Sequence, residues 1–120
     1  MLEVMPESQG PLLWLRASGR LTARDYREVF APCLEAVIRE HGKVRLLLHL
    51  APDFRGWTPA AWWEDIKLGL KNRRVFEKLG LAGAPFWADI LLKLFAHFMP
   101  GEVRTFLREY LAEAWLWIQE

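Results

Sequence analysis

The sequence predicts a single α/β domain with a mixed, mostly parallel sheet and four helices. Strand-like and helical segments alternate in the order β-β-α-β-α-β-α-β-α, which is typical of a mostly parallel sheet packed by helices. The segment "KVRLLLHLA" is almost wholly apolar, as in a strand covered on both faces. The 120 residues have the length of one ordinary domain and contain no linker, repeat or low-complexity tract, so residues 1–120 are expected to form one domain.

The first three elements are predicted by turn and capping signals. "LEVM" and "LLWLRASG" read as strands of an antiparallel hairpin, because "PESQGP" between them carries the Pro and Gly of a turn. Thr22 is the expected N-cap of the first helix, with Asp25 completing a short-armed capping box. Pro32 removes one backbone donor, which predicts a kink, and Gly42 ends the helix.

The remaining elements follow the same signals. The second helix is predicted from Thr58 to about Arg74, and "FEKLGLAG" reads as a strand that ends in glycine. Pro85 opens a third helix, "PFWADILLKLFAHFM", which Pro100 and Gly101 end. "EVRTF" is a last short strand, and "LREYLAEAWLWIQE" is the closing helix.

Composition excludes several classes of protein. Sixteen Lys and Arg oppose fifteen Asp and Glu, for a net charge of +1, so no strong positive field recruits nucleic acid. Cys33 is the only cysteine, which excludes an internal disulfide and fits a reducing cytoplasm. "MLEVMPESQG" lacks the charged n-region of a signal peptide, and no apolar run approaches the roughly 18 residues that span a bilayer. A cytoplasmic protein is expected.

Four segments carry a resemblance to a known family. They are "ASGRLTARDYREVFAPCLEAVIREHGKVRLLLHLA", "FRGWTPAAWWEDIKLGL", "FEKLGLAG" and "PGEVRTF". Together they resemble the bacterial SpoIIAA-like proteins, which have a STAS-type fold and are also likened to the lipid-binding CRAL-TRIO domains. The resemblance covers essentially the whole chain. It implies a functionally uncharacterised, STAS-like and non-enzymatic module.

The resemblance also draws attention to Thr58. In signalling STAS domains, the helix after the third strand begins with a Ser or Thr that a partner kinase phosphorylates, commonly with an acidic residue just before it. By position, Thr58 is the candidate phospho-acceptor and Asp53 the nearest acid. The sequence departs from this pattern, because the loop "PDFRGWTP" is longer and Pro59 follows the hydroxyl. The alternative is a helix cap only, which Thr followed by Pro explains fully.

The residues around Thr58 offer a second kind of site. His49 and Asp53 suffice in principle for acid–base chemistry, yet no nucleophile elbow or phosphate-cradling loop accompanies them. The three histidines show no metal-ligand spacing, so we expect no enzyme, metal or cofactor. Trp57, Trp62 and Trp63 are either core residues or, with His49 and Asp53, the wall of a pocket for a small hydrophobic ligand.

The third predicted helix has more apolar surface than one sheet face can cover. Its polar side chains are Asp89, Lys93 and His97, which form a narrow stripe because they are spaced four apart. The apolar remainder needs a second contact: a neighbouring helix such as the terminal one, a second copy of the chain, an apolar ligand or a membrane surface. The candidate interface residues are Phe86, Trp87, Leu91, Leu94, Phe95 and Phe98.

Two functions therefore remain from sequence. The first is a regulatory or protein-interaction module that self-associates as a homodimer through the third helix. The alternative is binding or sensing of a hydrophobic small molecule or membrane lipid. Peripheral membrane contact requires a basic cluster to share a face with the third helix. That cluster consists of Lys67, Lys71, Arg73, Arg74 and Lys78.

Overall fold

The computed structural model describes all 120 residues. Its central element is a five-stranded mixed sheet. Its strands are β1 (Leu2–Val4), β2 (Leu12–Ala17), β4 (Val44–Leu50), β6 (Phe76–Ala82) and β7 (Glu102–Phe106), in the spatial order β1-β2-β4-β6-β7. The N-terminal pair is antiparallel and every other pair is parallel. The predicted sheet and its hairpin are confirmed. Two further strands, β3 (Arg20–Leu21) and β5 (Gly56–Trp57), form a separate parallel pair that the sequence did not predict.

The helices make four units, as predicted. The first unit is continuous and consists of α1 (Ala23–Asp25), a π-helical turn (Tyr26–Phe30) and α2 (Ala31–His41). The others are α3 (Pro59–Lys71), α4 (Phe86–Ala96) and α5 (Leu111–Gln119), which a 3₁₀ turn (Arg108–Tyr110) precedes. None of these helices combines the length and hydropathy needed to cross a bilayer.

Local chemistry explains where the first helical unit begins and changes pitch. Thr22 Oγ1 accepts the Asp25 N–H at 3.3 Å, and Asp25 Oδ2 accepts the Thr22 N–H at 2.8 Å, so the capping box is confirmed. Pro32 cannot donate a helical hydrogen bond. The predicted disturbance takes the form of the π turn just before it, in which the Ala31 N–H bonds the Tyr26 carbonyl. Gly42, at φ 72°, ends the unit.

The two faces of the sheet are covered unequally. Leu46, Leu48 and Leu50 of β4 belong to the larger core, which α2, α3 and α4 cover. Leu47 belongs to the smaller core on the opposite face, where Ala114 and Ile118 of α5 pack. The expectation that the terminal helix covers the second apolar face of α4 is therefore wrong, because the sheet separates the two helices.

A bulge between β4 and β6 determines which side chains of β6 reach the larger core. Val44 pairs with Phe76, but Arg45 pairs with Lys78, so Glu77 is the extra residue. Phe76 and Leu79 consequently point to the α3–α4 side. Lys78 points to the α5 side, where its Nζ donates to the Trp117 carbonyl at 2.8 Å.

Candidate functional site

A cavity of about 630 Å³ lies between α3 and α4, above the sheet. Its floor consists of apolar side chains from the two central strands, namely Leu46, Leu48, Phe76, Leu79 and Leu81. β4 is a nearly continuous apolar run, as in a strand covered on two faces, and the charged residues of β6, Glu77 and Lys78, do not line the cavity. The floor is therefore apolar over its full length.

The mouth of the cavity is also apolar. Five exposed side chains of α3, α4 and the turn that follows α4 line the cavity: Ile66, Leu70, Leu91, Leu94 and Phe98. Leu94 is 58% exposed and Phe98 is 65% exposed, so the space opens to solvent between the two helices. The mouth therefore presents apolar side chains to solvent.

The two helices meet at both ends of the cavity. Near their starts, the Trp62 and Trp87 ring centroids lie 5.8 Å apart, and Trp57 packs against both rings at 4.6 and 5.7 Å. Near their ends, the Phe95 ring lies on the backbone of Gly69, where an added Cβ would come within 2.8 Å of Phe95 Cζ. The two helices are therefore in contact near both ends, and the cavity lies along them.

One ionisable side chain, Asp65, lines the cavity. Asp65 Oδ1 accepts a hydrogen bond from the Tyr26 hydroxyl at 2.9 Å, and that hydroxyl oxygen accepts the Trp57 Nε1–H at 2.9 Å. Tyr26 comes from the π turn and is almost fully buried. The three residues form a hydrogen-bond chain that ends on the carboxyl group at the cavity wall.

Burial shifts the pKa of both ionisable members of this chain. Enclosure by apolar atoms raises the pKa of Asp65 to about 6, although the hydrogen bond from Tyr26 acts in the opposite direction. Burial, reinforced by the neighbouring Asp65 charge, raises the pKa of Tyr26 far above its ordinary value. The tyrosine hydroxyl therefore keeps its proton and remains a donor to Asp65.

Part of the predicted pocket wall is found at this cavity and part is not. Trp57 and Trp62 line it. Trp63 is 61% exposed and lies beneath Lys67, whose Nζ is 5.9 Å from the ring centroid. Asp53 is exposed on the loop after β4. Neither Trp63 nor Asp53 lines this cavity, because consecutive helical positions diverge by about 100° and the loop lies beyond the strand ends.

His49 lies outside the cavity as well. It alternates with Leu48 and Leu50 along β4, so its side chain belongs to the opposite face of the sheet. Burial, together with the charges of Arg16 and Arg108, lowers the pKa of His49, and its Nδ1 has no hydrogen-bond partner. No hydrogen bond joins His49 to Asp53, and nowhere do three His, Cys, Asp or Glu side chains cluster closely enough to hold a metal ion.

Thr58 occupies the N-cap of α3. Its Oγ1 accepts the Ala61 N–H at 3.1 Å, and Pro59 is the first helical residue. The residue is half-buried. Capping thus accounts for the hydroxyl, and phosphorylation there stays a prediction.

The predicted interface residues of α4 divide into three groups. Leu91, Leu94, Phe95 and Phe98 line the cavity. Trp87 belongs to the aromatic contact with Trp57 and Trp62. Phe86 is 80% exposed and makes neither contact.

The predicted basic cluster does not form one surface. Lys78 lies on the α5 side of the sheet. Lys67 pairs with Glu64 at 3.2 Å, on the side of α3 away from the cavity. No Lys or Arg lines the cavity, and the predicted cluster is divided between the two faces of the sheet.

Sequence reasoning missed Tyr26 and Asp65. Asp65 stands three residues after Trp62 and four before Gly69 on α3, which is the spacing of one helix face. The available signal was that Asp65 shares a helix face with Trp62, which points into the fold. Tyr26 gave no signal, because its partner lies 39 residues away in the chain.

The fold and cavity can now be compared with known proteins. The SpoIIAA-like family matches residues 12–119. One similar solved structure is an uncharacterized protein of the DUF3478 family with a SpoIIAA-like fold from Shewanella loihica PV-4. It is 27% identical, with a TM-score of 0.74 over 98% of this chain and 93% of that chain. No curated protein matches the sequence.

The chain belongs to the SpoIIAA-like family, because the match spans nearly its whole length. The resemblance predicted from the four sequence segments and the STAS-type α/β fold are both confirmed.

Proposed function

We propose that this protein binds a small hydrophobic molecule, such as a lipid chain, in the cavity between α3 and α4. The observation that carries the proposal is the cavity itself. Its volume of about 630 Å³ falls among small-molecule sites, which measure about 300–1,000 Å³ and combine apolar walls with few polar groups. Eighteen of its twenty lining residues are hydrophobic.

The packing around the cavity supports a binding role. Protein interiors are normally close-packed, and apolar side chains that face a void lose dispersion contacts. Collapse of α4 onto α3 would recover these contacts, but the tryptophan contact at one end and the Phe95–Gly69 contact at the other keep the helices apart. An apolar ligand supplies the missing contacts without moving either helix.

Binding can be tested with the neutral fluorescent probe N-phenyl-1-naphthylamine. Wild type should bind it saturably, with a change in the emission of Trp57 and Trp62, which line the cavity. Ala88→Phe fills the cavity, and Leu91→Trp narrows its mouth without entering the core. Each should weaken binding at least about tenfold. Ala112→Phe, on the exposed surface of α5, is the matched control and should bind like wild type.

Two results contradict the proposal. One is the absence of saturable binding by wild type. The other is equal affinity of all four proteins, which would place the probe elsewhere on the surface.

We also propose, as the second candidate, that the exposed face of α4 joins two copies of the chain in a regulatory module. The supporting observation is that Phe86 and Leu94 of α4, and Phe98 of the turn after it, are 80%, 58% and 65% exposed. Exposed apolar patches of this kind usually mark an association surface. Two copies meeting at α4 would cover the cavity mouth, because Leu94 and Phe98 line it.

Sedimentation velocity over a range of concentrations tests this association. Leu94→Asp should shift a dimer to monomer, because burying an unpaired carboxylate in an apolar interface is unfavourable. Leu116→Asp is the control, since Leu116 is 62% exposed on the opposite side of the sheet. A wild type that stays monomeric, or a Leu94→Asp variant that dimerises normally, contradicts self-association through α4.

A further inference from the structure

Asp65 is an unusual residue for the wall of an apolar cavity. It is the only charged side chain that borders the space, and it makes no ion pair. The nearby cations Arg27 and Lys67 pair instead with Glu64, at 3.8 and 3.2 Å. A carboxylate without a cation in apolar surroundings is unfavourable for folding, so its place here needs a reason other than stability.

The hydrogen-bond chain determines which kind of hydrogen-bond partner Asp65 can still accept. The Tyr26 oxygen already accepts the Trp57 Nε1–H, so its single proton is directed to Asp65 Oδ1. Asp65 Oδ2 receives no hydrogen bond from the protein. An ionised carboxylate only accepts hydrogen bonds. Asp65 Oδ2 is not fully buried, so it is open to a hydrogen-bond donor from solvent or from a ligand.

The other charged groups near Tyr26 and Asp65 are paired elsewhere and do not bind Asp65. Asp25 lies on the helical unit that carries Tyr26. Its Oδ2 accepts the Thr22 N–H and lies 3.9 Å from the amino-terminal nitrogen of Met1. Glu64 is held by its two cations. The pKa of Asp65, about 6, leaves the carboxyl group mostly ionised at neutral pH. The cavity wall then presents one negative charge and one free acceptor.

We propose that the ligand is an amphiphile with a single hydrocarbon chain whose polar end is a hydrogen-bond donor, an amine or alcohol, and that Asp65 Oδ2 accepts that donor. This inference rests on the proposed cavity function and specifies its chemistry. A protonated amine combines a donor with a charge opposite to Asp65. A fatty carboxylate of equal chain length places a second negative charge beside it and is disfavoured. The hydrocarbon chain then lies on the floor formed by β4 and β6.

The test compares three head groups on the same chain. Decylamine, decanol and decanoate are titrated below their micellar concentrations into wild type, Asp65→Asn and Glu64→Gln at neutral pH, by calorimetry. Wild type should bind the amine and alcohol at least about tenfold more tightly than decanoate. Asp65→Asn should lose most of the preference for the amine and should bind decanoate more tightly than wild type does.

Glu64→Gln is the matched control. It removes the same charge from the adjacent residue, which pairs with surface cations and does not line the cavity, so it should keep the wild-type preference. Asparagine can still accept the Tyr26 hydroxyl, and circular dichroism checks that the variant is folded.

The outcomes separate the two proposals. If all three compounds bind wild type equally and Asp65→Asn changes nothing, the role of Asp65 is overturned while the cavity function stands. Equal loss of amine preference in Glu64→Gln also overturns it, because the effect is then general electrostatics. If none of the three binds at any chain length from hexyl to tetradecyl, the cavity function fails together with the inference.

Discussion

Asp65 couples the stability of the fold to pH. Its pKa is raised by burial from 3.8 to about 6, so the folded state holds this proton more tightly than the unfolded state. The free energy of unfolding therefore falls as pH rises from the unfolded pKa through the folded one. Above that pH range, the total decrease in the free energy of unfolding is about 3 kcal/mol, because the folded and unfolded states bind this proton with different affinities.

Asp65→Asn isolates this contribution. The amide does not ionise, so the stability advantage of Asp65→Asn over wild type should grow by about 3 kcal/mol as pH rises from below 4 to above 6. Urea denaturation at several pH values measures it. Arg45 lowers the pKa of Glu77, and Thr105 and Lys93 lower the pKa of Asp89. These two groups make the protein more stable as pH rises, but their contribution is the same in both proteins and cancels in the difference. A difference that is constant with pH contradicts the assignment.

At the residue scale, sequence predicted local partners and missed distant ones. Thr22 and Asp25 lie three residues apart, so their capping box could be read from spacing. The Tyr26–Asp65 hydrogen bond joins residues 39 apart, and only the folded chain brings them together. His49 lies away from the cavity, and the sequence could not show this because an apolar run covered on both faces does not reveal which face carries a cavity.

At the scale of the element, the N-cap of α3 offers a clean measurement. Thr58→Ala removes the acceptor of the Ala61 N–H and should lower the free energy of unfolding by about 1 kcal/mol. Thr58→Asp keeps an acceptor and adds a negative charge near the helix start, so its stability should stay close to that of wild type. Urea denaturation of the three proteins decides it. Equal stability of Thr58→Ala and wild type would show that the cap is not needed.

The elements themselves were largely predictable. The excess apolar surface of α4 predicted a second contact beyond the sheet, and the structure places the cavity and solvent on that side, so the occupant of that surface stays a prediction. The strands β3 and β5 have two residues each, which is too short for any period-two pattern. The π turn was not predicted as such, because Pro32 signals that the hydrogen-bond pattern must change but not how.

At the scale of the whole molecule, the order of elements predicted the sheet but not the distribution of helices over its faces. Right-handed crossovers restrict the topology, yet either face remains open to each helix until the strand order is known. Three helical units lie on one face and α5 alone lies on the other. The space between α3 and α4 lies on the first face, and a sequence read element by element contains no measure of that space.

The cavity has a consequence for the lifetime of the protein. A ligand that binds only the folded chain adds about 2.7 kcal/mol to its stability at a hundred times its Kd. Small domains are stable by only about 5–15 kcal/mol. Under the proposed binding function, the empty protein should unfold more often and be exposed to proteases, whereas the occupied protein should be protected. The amount of protein in a cell that makes it at a constant rate should then rise with the supply of its ligand.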